Sequence, residues 1–449
     1  MLVAFGMVGT SLSGVTFISV PGTVGSSHFY YFQVVLGYFI GYFIVAFVLL
    51  PLYYRLNLTS IYSYLEHRFG MTSYKTGAIL FILSRTLGAT LRLYLVINVL
   101  QIFVLEDWKI PFWFTALVIL LMILLYTYKG GVKTIVWTDT LQTLFMLLAL
   151  VICIGVILKE LNLKPAEAFS MMRDANFLEI FNFDFHDKKF FLKQIIGGAF
   201  ITVSMTGLDQ EMMQKNISVR TLKDSQKNMI TFSTIMVAVN FIFLFLGGVL
   251  ALYAMQTGIT SKGDDLFPTI AMKMLPPVVG LIFIIGLISA LFPSADGAIT
   301  ALTSSFCIDI LGMKRKIGTT EEANAKRRKT VHLIFTGIFM LMVMVFKWMN
   351  NKEIISILLD IAGYTYGPLL GLFAFGILTK RQINDRLTPV VCIAAPIISF
   401  VLDKTSVYWL GGYKFGVEML VINGLFTFAG LMMIHKKQDR QQSPVSVVK

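Results

Sequence analysis

Twelve long apolar runs, separated by short polar connections, constrain this chain more than any other feature of its sequence. A helix that crosses about 30 Å of hydrocarbon needs roughly 20 apolar residues at about 1.5 Å each. Runs of that kind occupy residues 2–21, 29–54, 74–104, 110–128, 131–158, 190–208, 229–256, 276–310, 330–348, 354–378 and 417–434, with a shorter one at 389–402. The chain is 56% hydrophobic and only 14% charged, with mean hydropathy +0.75, so a soluble core could not absorb the apolar surface of 449 residues. The expectation is an all-α polytopic membrane protein with about twelve transmembrane helices.

Lysine and arginine gather in alternate connections: Arg55 and Arg68; Lys129 and Lys133; Lys215, Arg220, Lys223 and Lys227; Lys314 to Lys316 and Lys326 to Lys329; Lys380, Arg381 and Arg386; and Lys436, Lys437 and Arg440. The positive-inside rule makes these connections and the C-terminal tail cytoplasmic. Topology therefore accounts for most of the formal charge of +13, leaving no need for a nucleic-acid partner. Cys153, Cys307 and Cys392 lie in apolar runs, where packing is the ordinary role. No HExxH, paired CxxC or GxGD motif occurs, so no catalytic or metal centre can be assembled and an enzyme is not expected. Met1 opens directly into an apolar run without a basic flank or cleavage site, which argues against a signal peptide and for a missing upstream helix.

Two spans depart from uniform hydrophobicity. The first holds Gly6, Gly9, Ser11, Ser13, Gly14 and Thr16 before Pro21 and Gly22; the sixth holds Gly197, Gly198, Thr202, Ser204, Thr206 and Gly207. Such composition favours interrupted helices, whose free backbone groups are tolerated only against protein or a wet cavity, although small residues also serve close helix packing. The two spans are five apart, and an odd spacing reverses the direction of entry, as in an inverted repeat with a binding site between its broken helices. Ionisable groups inside spans point the same way: Arg85 and Arg92 lie seven residues apart on one helical face, and Asp139, Asp296 and Asp360 lie on others. They indicate a transport pathway, with structural pairing between aspartates and arginines as the alternative.

The stretches GTSLSGVTF, YSYLEHRFG, GGVKTIVWTDTLQ, TGLDQEMMQ, SADGA leading into FCIDILG, and YTYGPLLGLFAFGIL occur in order from the first residue to about Arg381. In that order they resemble the sodium/solute symporter family, in particular its bacterial sugar, sialic acid and proline transporters. The resemblance implies a leucine-transporter-type fold of five-plus-five inverted repeats with peripheral C-terminal helices. The expected parts are residues 1–158 as the first repeat, 159–189 as an extracytoplasmic loop, 190–380 as the second repeat, 381–436 as two peripheral helices and 437–449 as a cytoplasmic tail. It also implies a multi-pass protein of the inner (plasma) membrane that imports a small polar or anionic solute with sodium ion by alternating access.

Carried over residue by residue, the resemblance implies a sodium site between the first and eighth spans, made by carbonyls of Gly9, Leu12 and Ala290 and the hydroxyl of Ser294. Pro293 replaces a hydroxyl residue there. A proline in a helix frees the carbonyl four residues earlier, here Ser289, as a substitute donor. Asp139 corresponds to a second cation site in some relatives, and Asp296 stands where partner hydroxyls are expected. Two close carboxylates call for a shared cation or proton; alternatively each points at its own hydroxyl or arginine. Solute contacts implied by the resemblance are Ser11, Ser13, Thr16, Gln33, Arg92, Thr202, Thr206 and Asp360. Proton coupling through Asp139 and Asp296, or a transporter-like sensor, are the alternatives to sodium symport.

Overall fold

The computed structural model describes residues 2–58, 60–127, 132–313, 315, 320–349 and 354–436. Lys129, Lys314, Lys316, the Lys133 side chain and the expected tail from residue 437, with Lys437 and Arg440, lie outside the described residues. In chain order the helices are α1 (Leu2–Ser11), α2 (Gly14–Ser27), α3 (Tyr31–Leu56), α4 (Ser63–Arg68), α5 (Met71–Leu105), α6 (Phe112–Thr127), α7 (Val132–Glu160) and α8 (Pro165–Asp174). They continue as α9 (Phe191–Gly207), α10 (Gln210–Ile217), α11 (Leu222–Thr257), α12 (Pro277–Ile310), α13 (Glu321–Met349), α14 (Ile354–Leu378), α15 (Thr388–Trp409) and α16 (Met419–Met433). Among the described residues 8 helices are long and apolar enough to span a bilayer, and counting the bent pairs α1–α2 and α9–α10 as one span each raises this to 10. The shorter apolar helices α6 and α16 complete the twelve expected spans.

Both irregular spans are broken where the composition changes. The α1–α2 pair bends by 60° across Leu12 and Ser13, and Ser13 takes an extended conformation (φ −114°, ψ 177°) that starts a new helix. The α9–α10 pair bends by 69° across Leu208 and Asp209. Asp209 caps α10: its carboxylate accepts the N–H groups of Glu211 at 2.9 Å and Met212 at 3.1 Å, meeting the donors that every helix start leaves free. The expected stop at Pro21 does not occur; α2 runs on to Ser27. A Cβ on Gly22 would stand 2.2 Å from the carbonyl oxygen of Gly263, so glycine lets the 263–265 turn press onto α2.

Helix crossings in the core use bare backbone. A Cβ at Gly37 would lie 2.3 Å from the Ile195 carbonyl oxygen, one at Gly41 2.3 Å from that of Ala199, and one at Gly198 2.5 Å from that of Val34. α3 and α9 therefore touch main chain to main chain. On the other side α14 contains Pro368, which has no N–H to offer the carbonyl of Tyr364. The amide of Asn423 on α16 supplies the donor, reaching Tyr364 at 2.9 Å and Gly363 at 3.0 Å, and so fastens a peripheral helix to the core. A two-residue antiparallel ladder pairing Gln382 with Lys436 and Ile383 with His435 closes the same end. Buried aromatic rings of Phe17, Phe243, Phe267 and Phe283 fill the centre. Leu125, Leu148, Leu281, Leu341 and Ile397 stay exposed on the outside, as suits a surface solvated by lipid.

Candidate solute cavity and ion site

The two breaks face one cavity of about 100 Å³. Six of the expected solute contacts, Ser11, Ser13, Thr16, Arg92, Thr202 and Thr206, line it together. The tyrosines Tyr31, Tyr38 and Tyr42 of α3, which sequence reasoning did not single out, add hydroxyls to the same wall. Two expected contacts are placed elsewhere. Gln33 is buried, but its amide donates to the carbonyls of Tyr30 (3.0 Å) and Lys189 (3.3 Å) while its oxygen accepts from Asn182 N–H, so it staples the loop before α9. Asp360 is exposed and off the cavity wall; Ile355, Leu358 and Leu359 are the α14 residues that line it.

The two arginines of α5 have different surroundings. Arg85 is buried and ion-paired, bonding Glu211 and standing 3.6 Å from Asp209. Arg92, two turns further along, lines the cavity with no ion pair among the described residues, and its Nε is buried without a hydrogen-bond partner. A guanidinium left in that condition is costly unless something enters to meet it.

Below the cavity the charges form a chain. Lys215 Nζ donates to Thr10 Oγ1 at 2.6 Å, to Asp139 Oδ2 at 3.0 Å and to Glu211 Oε1 at 3.3 Å. Lys215 is 6% exposed, Asp139 and Asp209 0% and Glu211 6%, so these are interior ion pairs. Lys215 therefore does not belong with the cytoplasmic loop charges, where its neighbours in sequence had placed it. Asp139 meets this lysine through Oδ2, and Asp296, whose Oδ1 accepts the N–H of Gly297, acts on the same ammonium through its charge. The charges adjoining the break in LDQEMMQK were the available signal for Asp209, Glu211 and Lys215. Groups of three or more acidic, histidine or cysteine ligands arranged to hold a metal ion are absent among the described residues.

The expected sodium ligands lie where α1 packs on α12, with Leu12, Ala290 and Ser294 all buried. Leu12 N–H still donates to Val8 at 2.8 Å and Phe17 N–H to Ser13 at 3.0 Å; in the break between them no helical bond among the described residues reaches the carbonyls of Gly9 or Leu12. Ser294 Oγ donates its proton to the Leu291 carbonyl at 2.8 Å, which turns its lone pairs outward. Pro293 sits inside α12 and leaves Ser289 without its usual donor. An all-oxygen set of this kind, mostly carbonyls, fits a hard monovalent cation. Gly9 is held flat on α7, since a Cβ there would lie 2.1 Å from Thr143 Oγ1.

The family model for the sodium:solute symporter family matches residues 1–385. The sodium/sialic acid symporter of Aliivibrio fischeri is 25% identical over 94% of this chain and 84% of its own length, and that of Proteus mirabilis 25% identical over 88% and 80%. A solved structure of a Na+-coupled sialic acid symporter in a substrate-bound outward-open state superposes with a TM-score of 0.81 at 21% identity, covering 96% of this chain and 88% of that one. The fold is thus the five-plus-five helical architecture that the resemblance implied. Broken spans around a polar cavity and a family match over most of the chain lead to one conclusion: the chain belongs to the sodium:solute symporter family, multi-pass membrane carriers that move a small organic solute together with sodium.

Proposed function

We propose that the solute carries a carboxylate and that Arg92 receives it. The unpaired guanidinium in the cavity wall is the observation that carries this reading, because its planar fork matches both oxygens of a carboxylate. Hydroxyls of Ser11, Ser13, Thr16, Thr202 and Thr206 suit a polyol chain on the same molecule, and the bacterial relatives are named for sialic acid, a sugar acid with both features. The start of α2 at the break adds a helix N-terminus, which favours negative charge. Sodium-driven uptake of a sialic acid into proteoliposomes, compared with a neutral hexose, tests the assignment. Arg92→Ala is expected to lower uptake at subsaturating solute roughly 10- to 100-fold, the equivalent of about 1.5–3 kcal/mol for a hydrogen bond to a charged group. Preference for the hexose, or an unchanged rate in the variant, would overturn it.

Sodium binds, in this reading, between α1 and α12 through the carbonyls of Gly9, Leu12 and Ala290 and the hydroxyl of Ser294, with Ser289 as the added donor. The ion holds the broken first span against α12 and so favours the form that accepts solute; its release on the low-sodium side loosens the same contact. Residues 1–158 and 190–380 form the two repeats that enclose the site, in the inner membrane with the basic connections and C-terminus in the cytoplasm. Purified protein is expected to melt at higher temperature in sodium than in potassium at equal ionic strength. Ser294→Ala should shift the sodium midpoint upward by about tenfold, as for one lost ligand of roughly 1–1.5 kcal/mol. Equal melting in both salts would refute sodium coupling at this place.

A further inference from the structure

The resemblance implied a second soluble cation at Asp139, and a positive charge already stands there, the ammonium of Lys215 at 3.0 Å. We infer that the ammonium of Lys215 is itself the second cation, tethered to the chain, so that only one sodium binds. The inference rests on the sodium-coupled reading above.

Lys215 Nζ has three protons, and each has an acceptor: Thr10 Oγ1 at 2.6 Å, Asp139 Oδ2 at 3.0 Å and Glu211 Oε1 at 3.3 Å. Thr10 closes α1, Asp139 lies on α7 and Lys215 itself on α10, so one buried cation joins both broken spans to a third helix. Asp296 of α12 also acts on the ammonium through its charge, and Arg85 of α5 neutralises Glu211 from the other side. The ammonium already takes the Thr10 hydroxyl and Asp139 Oδ2, leaving Asp139 Oδ1 as the carboxylate oxygen without a hydrogen-bond partner, and a free sodium there would stand within a few ångströms of a like charge that cannot diffuse away. Sodium and an alkylammonium are both hard monovalent cations that oxygen donors hold; the difference is that the lysine never leaves.

That difference alters coupling. A bound sodium released to the cytoplasm carries driving force with it, whereas a tethered ammonium only stabilises one arrangement of α1, α7 and α10. Combined with a singly charged carboxylate solute, one mobile sodium makes the transported pair electrically neutral.

The experiment is equilibrium binding of radioactive 22Na+ to the purified protein at saturating sodium and without solute, for wild type, Lys215→Met and the Lys215→Met/Asp139→Asn double variant. The expected molar ratios are one, two and one: removing the ammonium opens the oxygens of Asp139 and Thr10 to a second ion, and removing the carboxylate closes that place again. Two ions on the wild type, or one on Lys215→Met, would overturn the inference. Should Lys215→Met fail to purify as a folded protein, the wild-type ratio still decides, with one supporting and two refuting. No sodium bound to the wild type would refute the underlying sodium reading instead, a separate result.

Discussion

Arg85→Met is expected to unfold or severely weaken this protein. Arg85 is 5% exposed and compensates two carboxylates, bonding Glu211 directly and standing 3.6 Å from Asp209, which is itself fully buried. Methionine keeps much of the side-chain volume but leaves those carboxylates facing only Lys215 and the backbone donors at the start of α10. Removing one partner of a buried pair costs about 3–5 kcal/mol because the remaining charge is stranded. The purified variant is expected to melt many degrees lower, or to be lost from the membrane fraction, and Arg85→Met/Glu211→Gln should recover part of the loss by removing a stranded charge as well. A melting temperature close to that of wild type would mean that the network contributes little to the fold.

Gly37→Val should be nearly as damaging for an unrelated reason. Even the first carbon of the new side chain would lie 2.3 Å from the Ile195 carbonyl oxygen and 2.9 Å from the Ala199 nitrogen, so α3 and α9 would have to separate. Overpacking of this sort costs about 1–3 kcal/mol and occasionally more, and here both clashing atoms are main chain and cannot turn aside. Gly155→Ala on α7 is the matched control: nothing lies within 4 Å of its Cβ position, and alanine gains up to about 1 kcal/mol of helix propensity. Comparable yields and melting temperatures for Gly37→Val and Gly155→Ala would contradict the close crossing.

The twelve spans were legible because hydrocarbon accepts little besides long apolar helices, and the two breaks because glycine, serine and threonine collected in the first and sixth runs. Boundaries were less so. The ninth span was read from residue 330, whereas α13 starts at Glu321; its first turns, rich in Lys326, Arg327 and Arg328, are helical but too charged to register as a membrane run. Six hydroxyl and arginine positions converge on the cavity as expected, while Asp360 misses it because the linear sequence does not reveal which way a helix is turned about its axis. Lys215 was concealed by its company. Beside Arg220, Lys223 and Lys227 it resembles one more cytoplasmic charge, and only the 69° bend folds it back beneath the cavity.

The bare-backbone crossing of Gly37, Gly41 and Gly198 also limits which parts of the carrier can shift against each other. Side chains between helices act as bearings: they change rotamer and let surfaces slide by a few ångströms. Where carbonyls meet glycine Cα atoms no such bearing exists, so α3 and α9 must travel as one lever. A hinge is then expected where longer side chains intervene or where the chain is already bent, at Leu12–Ser13 and Leu208–Asp209.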